Sequence, residues 1–319
     1  MGRSPSAAHA EIVLDVLAGG GACSEVEAWW RRSGHLHALD PANRVPSYRL
    51  PQSEIAAGRE RLGRLLKVAQ NGLDRLFLAL GGVGCSVLLA DSAGVVLDRR
   101  GAGADDKTFD AWGLWTGAVW SEKFEGTNGI GTCIVEKRPL TIDRDQHFFS
   151  RNSLLFCTTA PIFDEHGELA AALDVSSCRA DLTEAFSRLI SMAVIDAARA
   201  IEAENFRCAF PNARILVTPT KERAPNSLLA VDRDDLVVGA TRAARRALGL
   251  APEALARPLP AADLIGEARA EINDMIAAER AVLQRALARA GGKVSRAARD
   301  LDISRATLHR KLKQLGFHR

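Results

Sequence analysis

The sequence predicts an α+β chain, an antiparallel sheet packed by helices followed by an all-α tail. Three observations carry this expectation. Two strand-turn-strand units lie in one segment, their turns closing on Gly94 and Gly167. Long stretches with apolar residues at helical spacing flank them. The last stretch, Glu271 to Arg319, reads as three short helices in succession.

At 319 residues the chain suits two or three domains. Its 47% hydrophobic and 25% charged residues are those of a soluble globular protein. No apolar run approaches the roughly eighteen residues that span a bilayer, and Met1 to Ala10 lacks the pattern of a secretory signal, so the expectation is cytoplasmic with no membrane partner. Six cysteines at 23, 85, 133, 157, 178 and 208 form no C-x-x-C pair and read as reduced thiols, several of them core fillers. His35 and His37 lack a third ligand, and neither a metal nor another cofactor is assigned.

In chain order, Met1 to Ala10 is small and polar and is expected to be disordered, and Glu11 to Ala18 is a possible short helix. Val26 to Ser33 is a helical turn with paired tryptophans, and Gly34 to Pro51 is a loop with an Asp40-Pro41 turn signal. Ile55, Leu62, Leu65, Leu66, Ala69, Leu73 and Leu76 predict one long helix over Ser53 to Ala79. Ser86 to Ala90 and Val95 to Arg99 form the first hairpin, Thr158 to Phe163 and Leu169 to Ser176 the second. A closing helix over Leu182 to Ala203 presents Phe186, Leu189, Ile190, Ala193, Val194, Ala197 and Ile201. Leu228 to Leu248 then repeats the order strand, acidic turn, strand, helix.

The tail carries the clearest chemistry. Ile272 to Ala290 is helical and stops at Gly291-Gly292. A second helix starts beside Ser295, with Ala297 and Ala298 small enough for close packing and Leu301 pointing to a core. Asp302-Ile303 turns the chain, Ser304 caps the last helix, and Leu308, Leu312 and Leu315 share its inner face before Gly316 closes it. The other face presents Arg305, Thr307, His309, Arg310 and Lys313, donors suited to base edges and phosphates in a major groove. Lys293, Ser295, Arg296 and Ser304 complete the expected DNA contacts. From Glu271 to Arg319 there are eleven Lys/Arg against five Asp/Glu, while the whole chain is only +3, so the basic charge is local. A basic helical packing module is the alternative reading.

The run Lys293-Val-Ser-Arg-Ala-Ala-Arg-Asp-Leu-Asp-Ile-Ser-Arg-Ala-Thr-Leu-His-Arg-Lys-Leu-Lys-Gln-Leu-Gly316 resembles the Fis-type helix-turn-helix that ends many bacterial enhancer-binding regulators. That resemblance implies a dimer built by Ile272 to Ala290. Asp302 replaces the family's usual turn glycine, a departure expected to cost little because Asp tolerates left-handed geometry. Glu125 to Thr132, His147 to Phe149, Cys157 and Ala160-Pro-Ile-Phe-Asp164 resemble the GAF sensor of acetoin-type catabolic regulators, and Trp30 to Ser33 and Leu39 to Pro41 look like that family's lead-in. The resemblance implies a small-molecule effector. Leu228 to Leu248 is similar to the opening of a PAS domain, though short, with a linker fold as the alternative. Such regulators usually carry a central ATPase, yet no G-x-x-x-x-G-K-[ST] occurs and no room for one separates Leu248 from the tail.

The expected domains are a disordered or helical lead-in at 1–52, a GAF-like sensor at 53–205, a PAS-like segment or linker at 206–266, and the helix-turn-helix at 267–319. Effector candidates are Trp120, Phe124, Thr127, Asn128, His147, Phe148 and Cys157, with Phe149 as a further aromatic of the pocket. Gly126 to Gly131 lacks the context of a nucleotide loop. No catalytic residue is assigned. The expected function is sequence-specific regulation from a palindromic operator by an effector-sensing homodimer without its own ATPase, with RNA polymerase or ATPase-containing relatives as further partners. The alternatives are an interaction protein that modulates full-length sigma-54-dependent activators through mixed oligomers, and a GAF-type thiol reductase using Cys133 or Cys157.

Overall fold

The computed structural model describes residues 5–80, 84–218, 226–233, 235–251, 254–255, 259–265, 279, 282–283, 286–287 and 290–315. The chain divides into two compact units, Met1–Ala261 and Ala262–Arg319.

In the first unit, α1 (Pro5–Ala18) and α2 (Glu25–Arg31) lead into a π-helical turn at Arg32–Leu36. α3 (Gln52–Arg61) and α4 (Gly63–Leu80) precede β1 (Cys85–Asp91) and β2 (Val96–Arg100). α5 (Asp106–Ala111), α6 (Glu122–Glu125) and α7 (Gly129–Glu136) then cross to β3 (Leu140–Asp143), β4 (Phe156–Phe163) and β5 (Leu169–Ser177). The five strands form one antiparallel sheet in the order β2-β1-β5-β4-β3.

Strand alternation sorts the two faces. Val87, Leu89, Phe156, Ala160, Leu173 and Val175 pack against Leu65, Ala69 and Leu73 of α4 and Ile190, Val194 and Ile201 of α8 (Glu184–Ala209). On the opposite face Leu88, Ala90, Cys157 and Ala172 meet Phe109, Leu114, Trp120, Ile130 and Leu155. β1 and β4 are buried along their whole length, their polar Ser86, Thr158 and Thr159 included.

Three expectations change. The single helix over Ser53 to Ala79 is two helices meeting at Leu62, directly before Gly63; Gly58 brings α3 against β2, since a Cβ there would lie 2.9 Å from Leu97 Cδ2. The lead-in is helical from Pro5, because His9 and Val13 are buried against Trp30, Phe148 and Phe149 and His9 Nε2 lies 3.0 Å from the His147 carbonyl. The closing helix runs on to Ala209, where Ala203 and Phe206 pack on Leu228 and Ala230 of a second sheet. That sheet has the order β6 (Arg214–Val217), β7 (Leu228–Val231), β8 (Val237–Ala240), followed by α9 (Arg242–Leu248), capped by Thr241 and closed by left-handed Gly249. Asn226 Nδ2 donates to Glu202 of α8 at 3.1 Å and the Phe163 amide does so at 3.4 Å, so one carboxylate joins both sheets. Burial pushes the Glu202 carboxyl up to about 7. α10 (Ala261–Ile265) follows.

The second unit buries Leu283, Ala286, Ala290, Ala297, Ala298, Leu308 and Leu312. α11 (Val294–Asp300) and α12 (Arg305–Gln314) pack through the small Ala297 and Ala298. Gly291 and Gly292 take φ of +61° and +78° at the turn before α11. Most of the pairing helix expected over Ile272 to Ala290, and Gly316, lie outside the described residues.

Candidate functional site

The helix-turn-helix presents its cations on one side. Asp302 adopts φ +52°, the left-handed conformation that the turn requires. Ser304 accepts the Thr307 amide at 3.0 Å, and the two hydroxyls pair at 2.8 Å, so Ser304 and half-buried Thr307 fix the start of α12. Leu308 and Leu312 face inward, leaving Arg305, Ala306, His309, Arg310 and Lys313 exposed along one stripe. Lys311 is turned aside to pair with Glu279. A concavity of about 750 Å³ is lined by Lys293, Ser295, Arg296, Arg299 and Arg305, with Gly292, Val294 and Asp300. Arg299 is the cation that the sequence reading passed over; its spacing of three from Arg296 places both on one side of α11.

In the sensor unit, the seven effector candidates separate. Trp120 is buried in the cluster under the sheet, its indole N–H donating to the Gly113 carbonyl at 2.8 Å. Cys157 shares that cluster. Phe148 belongs with Phe149, Val13 and Trp30 beneath α1, its side chain lying over Gly126, where a Cβ would be 2.7 Å away. Phe124 is 42% exposed and stacks on Tyr48 with ring centroids 5.3 Å apart. Phe148 and Phe124 therefore do not join Trp120 around one cavity, as their pairing in the sequence had suggested; intervening backbone sends each to a different neighbour.

Glu122 and the block Glu125-Gly126-Thr127-Asn128 anchor the lead-in and the loop after β3. Glu122, 2% exposed, takes a two-pronged contact from Arg32 at 2.6 and 2.8 Å and a hydroxyl from Thr132 at 2.7 Å. Arg32 also reaches Glu136 at 2.8 Å, as does the Trp29 indole at 3.1 Å. Glu125 receives Arg151 at 2.7 Å and Asn152 at 3.2 Å; burial pushes its carboxyl up, against the pull of Arg151. Thr127 pairs with Ser33 at 3.1 Å, and Asn128 caps α7 by accepting the Gly131 amide at 2.8 Å while donating to the Gly126 carbonyl. Thr127 and Asn128 thus spend their polar atoms on the chain itself. The lead-in residues Trp29, Trp30, Arg32 and Ser33 are built into the sensor.

His147 is fully buried, with Nδ1 2.9 Å from the Arg144 carbonyl and Nε2 without a hydrogen-bond partner among the described residues. Burial depresses its imidazole to about 4, so the ring is neutral. Burial pushes the Cys133 and Cys157 thiols up, away from the thiolate that nucleophilic chemistry needs.

Under the sheet lies a polar row that the sequence reading missed. Asp174, fully buried, accepts Thr159 at 2.5 Å and Ser176 at 2.6 Å, and burial pushes its carboxyl up to about 6. The Ser176 hydroxyl also lies 3.1 Å from Cys157 Sγ. Gly129 of α7 closes over this group, its missing Cβ standing 2.7 Å from Thr159 Oγ1 and 2.9 Å from Asp174 Oδ1. An acid alternating with Leu173 and Val175 on a buried strand was the available signal.

Residues 64–201 match the GAF domain family, and residues 277–315 match the bacterial regulatory protein family described as Fis. The chain is 35% identical over 220 residues to the acetoin catabolism regulatory protein of Cupriavidus necator, covering 68% of this chain and 33% of that one. It is 32% identical over 127 residues to the acetoin dehydrogenase operon transcriptional activator AcoR of Bacillus subtilis, covering 40% and 21%. The chain thus aligns with a third or less of the length of these relatives. Among solved structures, the E. coli DhaR(N)-DhaL complex contains a chain with the same fold at TM-score 0.52 and 16% identity, covering 73% of this chain and 80% of that one. No Walker-type ATPase motif lies between the GAF and Fis matches, and residues 202–276 leave no space for such a domain.

Proposed function

We propose, from the premise that this chain is a GAF and Fis-type protein homologous to the acetoin catabolism regulators, that it is a transcriptional regulator binding an operator through α12 and responding to a small effector in its GAF module. The observation that carries the DNA reading is the exposed stripe of Arg305, His309, Arg310 and Lys313 on a helix whose other face is core. Arg305, at the first turn, reads base edges; Lys293, Arg296, Arg299 and Lys313 hold phosphates. Ser295 adds a neutral donor, and Ser304 and Thr307 act by holding the helix start.

The molecule works as a homodimer on a palindromic site, matching protein symmetry to half-site spacing. Without an ATPase it acts by occupying DNA or by contacting RNA polymerase or ATPase-containing relatives. Alignment with only a third or less of the relatives' length favours a second reading, in which the chain forms mixed oligomers with such relatives and modulates them.

The test is operator affinity against salt. Binding falls steeply with added salt; Arg305→Ala relaxes base preference, and Lys313→Ala weakens all sequences alike and lowers the salt slope by about 1. A flat salt response overturns the DNA reading. Effector sensing is tested by the change in operator affinity when acetoin, the compound in the relatives' names, or a cell metabolite extract is added.

A further inference from the structure

Glu202 is a buried acid with no part in the DNA-binding face or in the polar row under the five-stranded sheet. It is 4% exposed on α8, where the end of β4 and the chain just before β7 meet the helix. The Phe163 amide reaches it from one side at 3.4 Å and Asn226 Nδ2 from the other at 3.1 Å. Asn226 is tied in turn to its own sheet, because the Thr241 hydroxyl donates to its carbonyl at 2.7 Å and accepts the Leu228 amide at 3.0 Å. Both donors to Glu202 are neutral, and no cation of the described residues forms an ion pair with it.

The charged groups on the elements around it are engaged elsewhere. On α9, Arg242 lies over the Phe163 ring, 4.1 Å from its centroid. On α8, Arg199 turns to Asp196 at 4.0 Å. On the hairpin turn, Glu165 pairs with Arg64 of α4, which also donates to Asn205 at 3.0 Å, and exposed His166 stands 3.8 Å from Glu165. Arg242 and Arg199 act on Glu202 only through space, and burial outweighs them. A buried carboxylate without a contacting cation is costly, so the closed junction favours the protonated acid. Asn226 suits either form. Its Nδ2 donates to a carboxylate, and its Oδ1, buried and without a hydrogen-bond partner among the described residues, can accept from a carboxylic acid once the amide turns over.

Beside this polar contact lies an apolar one. Ala203 and Phe206, on the next turn of α8, pack on Leu228 and Ala230 through groups that no proton alters. The three-stranded sheet is thus held to the helix at one point that titrates and at one that does not.

We propose that Glu202 is a proton-operated latch between the two sheets: as a neutral acid it holds the end of β4 and Asn226 against α8, and on giving its proton to solvent it frees both donors, so that the three-stranded sheet swings on the apolar contact at Ala203 and Phe206. Release exposes the carboxyl to water, where a glutamate titrates near 4.3, whereas closed it titrates at about 7. Between these values opening sheds a proton, so opening grows as pH rises and levels off above the upper one.

The experiment is hydrogen exchange in the full chain at the two donors themselves, the Phe163 backbone N–H and the Asn226 side-chain N–H, from pH 5 to pH 8 and corrected for the intrinsic pH dependence of exchange. The open fraction rises by about tenfold or more between pH 5 and pH 7 and flattens above. In Glu202→Gln, which carries no charge at any pH, the corrected profile is flat; Glu202→Leu, with the same flat profile expected, replaces it if the glutamine variant lacks a cooperative melt. A flat profile in the parent overturns the latch, as does a rise that survives in the substituted chain. A rise of equal size at the Val87 and Val175 amides, inside the five-stranded sheet, reports unfolding of the whole unit and overturns it as well.

Discussion

Asp174, Glu202 and His147 set the response of the sensor to pH. An exposed aspartate titrates near 3.9, whereas burial raises Asp174 to about 6. Between these values the folded chain keeps a proton that the unfolded chain has released, so stability falls as pH rises through this window, by about 3 kcal/mol in all. Asp174→Asn removes that penalty: the variant should melt higher than the parent at pH 7.5 and alongside it near pH 4. Glu202, raised to about 7, extends the same loss toward neutrality. His147 acts in the opposite sense, because its imidazole is depressed to about 4 and an unfolded histidine protonates near 6.5. Stability is full above that pH and declines as pH falls toward 4. A thermal-melt series across pH should therefore show a maximum on the acid side of neutrality that moves up in Asp174→Asn. None of these shifts was legible beforehand. His147 looked like a ligand-facing group, and its burial under α1 depends on contacts made across the chain by His9.

At the scale of elements, the turn between α11 and α12 is the clearest local design. Asp302 stands at φ +52° without the freedom of glycine, so Asp302→Gly should stabilise the tail by about 1 kcal/mol. Ser304→Ala removes the cap that holds the Thr307 amide and should cost about 1 kcal/mol. Amide hydrogen exchange along α12 in the full chain measures both, and equal protection in the two variants would contradict the argument. This region was readable because its signals are local: a capping serine, leucines at helical spacing and a turn residue tolerant of left-handed geometry. The two hairpins were readable for the same reason, with acidic turns closing on Gly94 and Gly167 at φ +81° and +83°. α1 was not, because its helix depends on burying His9 and Val13 against Phe148 and Phe149, residues distant in sequence. β6 escaped notice because a strand of four residues with an arginine at its start offers little pattern.

At the scale of the molecule, the lead-in belongs to the sensor. Removing Arg32 leaves the buried Glu122 carboxylate without its cation, and Arg32→Ala should destabilise the unit by about 3 kcal/mol. A chain beginning at Gln52 loses both tryptophans as well and should not be recovered as a folded protein. Soluble, cooperatively melting material from it would show that the Arg32 and Trp29 contacts are dispensable. The block from Glu125 to Thr132 was visible as a motif, but its role was not, since the partners of Glu125 and of the preceding Glu122 come from Arg151 on one side and Arg32 on the other.

α8 runs for 26 residues without interruption, about 39 Å of continuous helix, with the five-stranded sheet packed on it and the three-stranded sheet against its final turns. The single carboxylate of Glu202 accepts from both Phe163 and Asn226. The two sheets therefore share one rod rather than a linker. Anyone grafting this GAF unit onto another output would do best to place the splice beyond Leu248, because a cut at the end of the five-stranded sheet would divide a lever through its shaft.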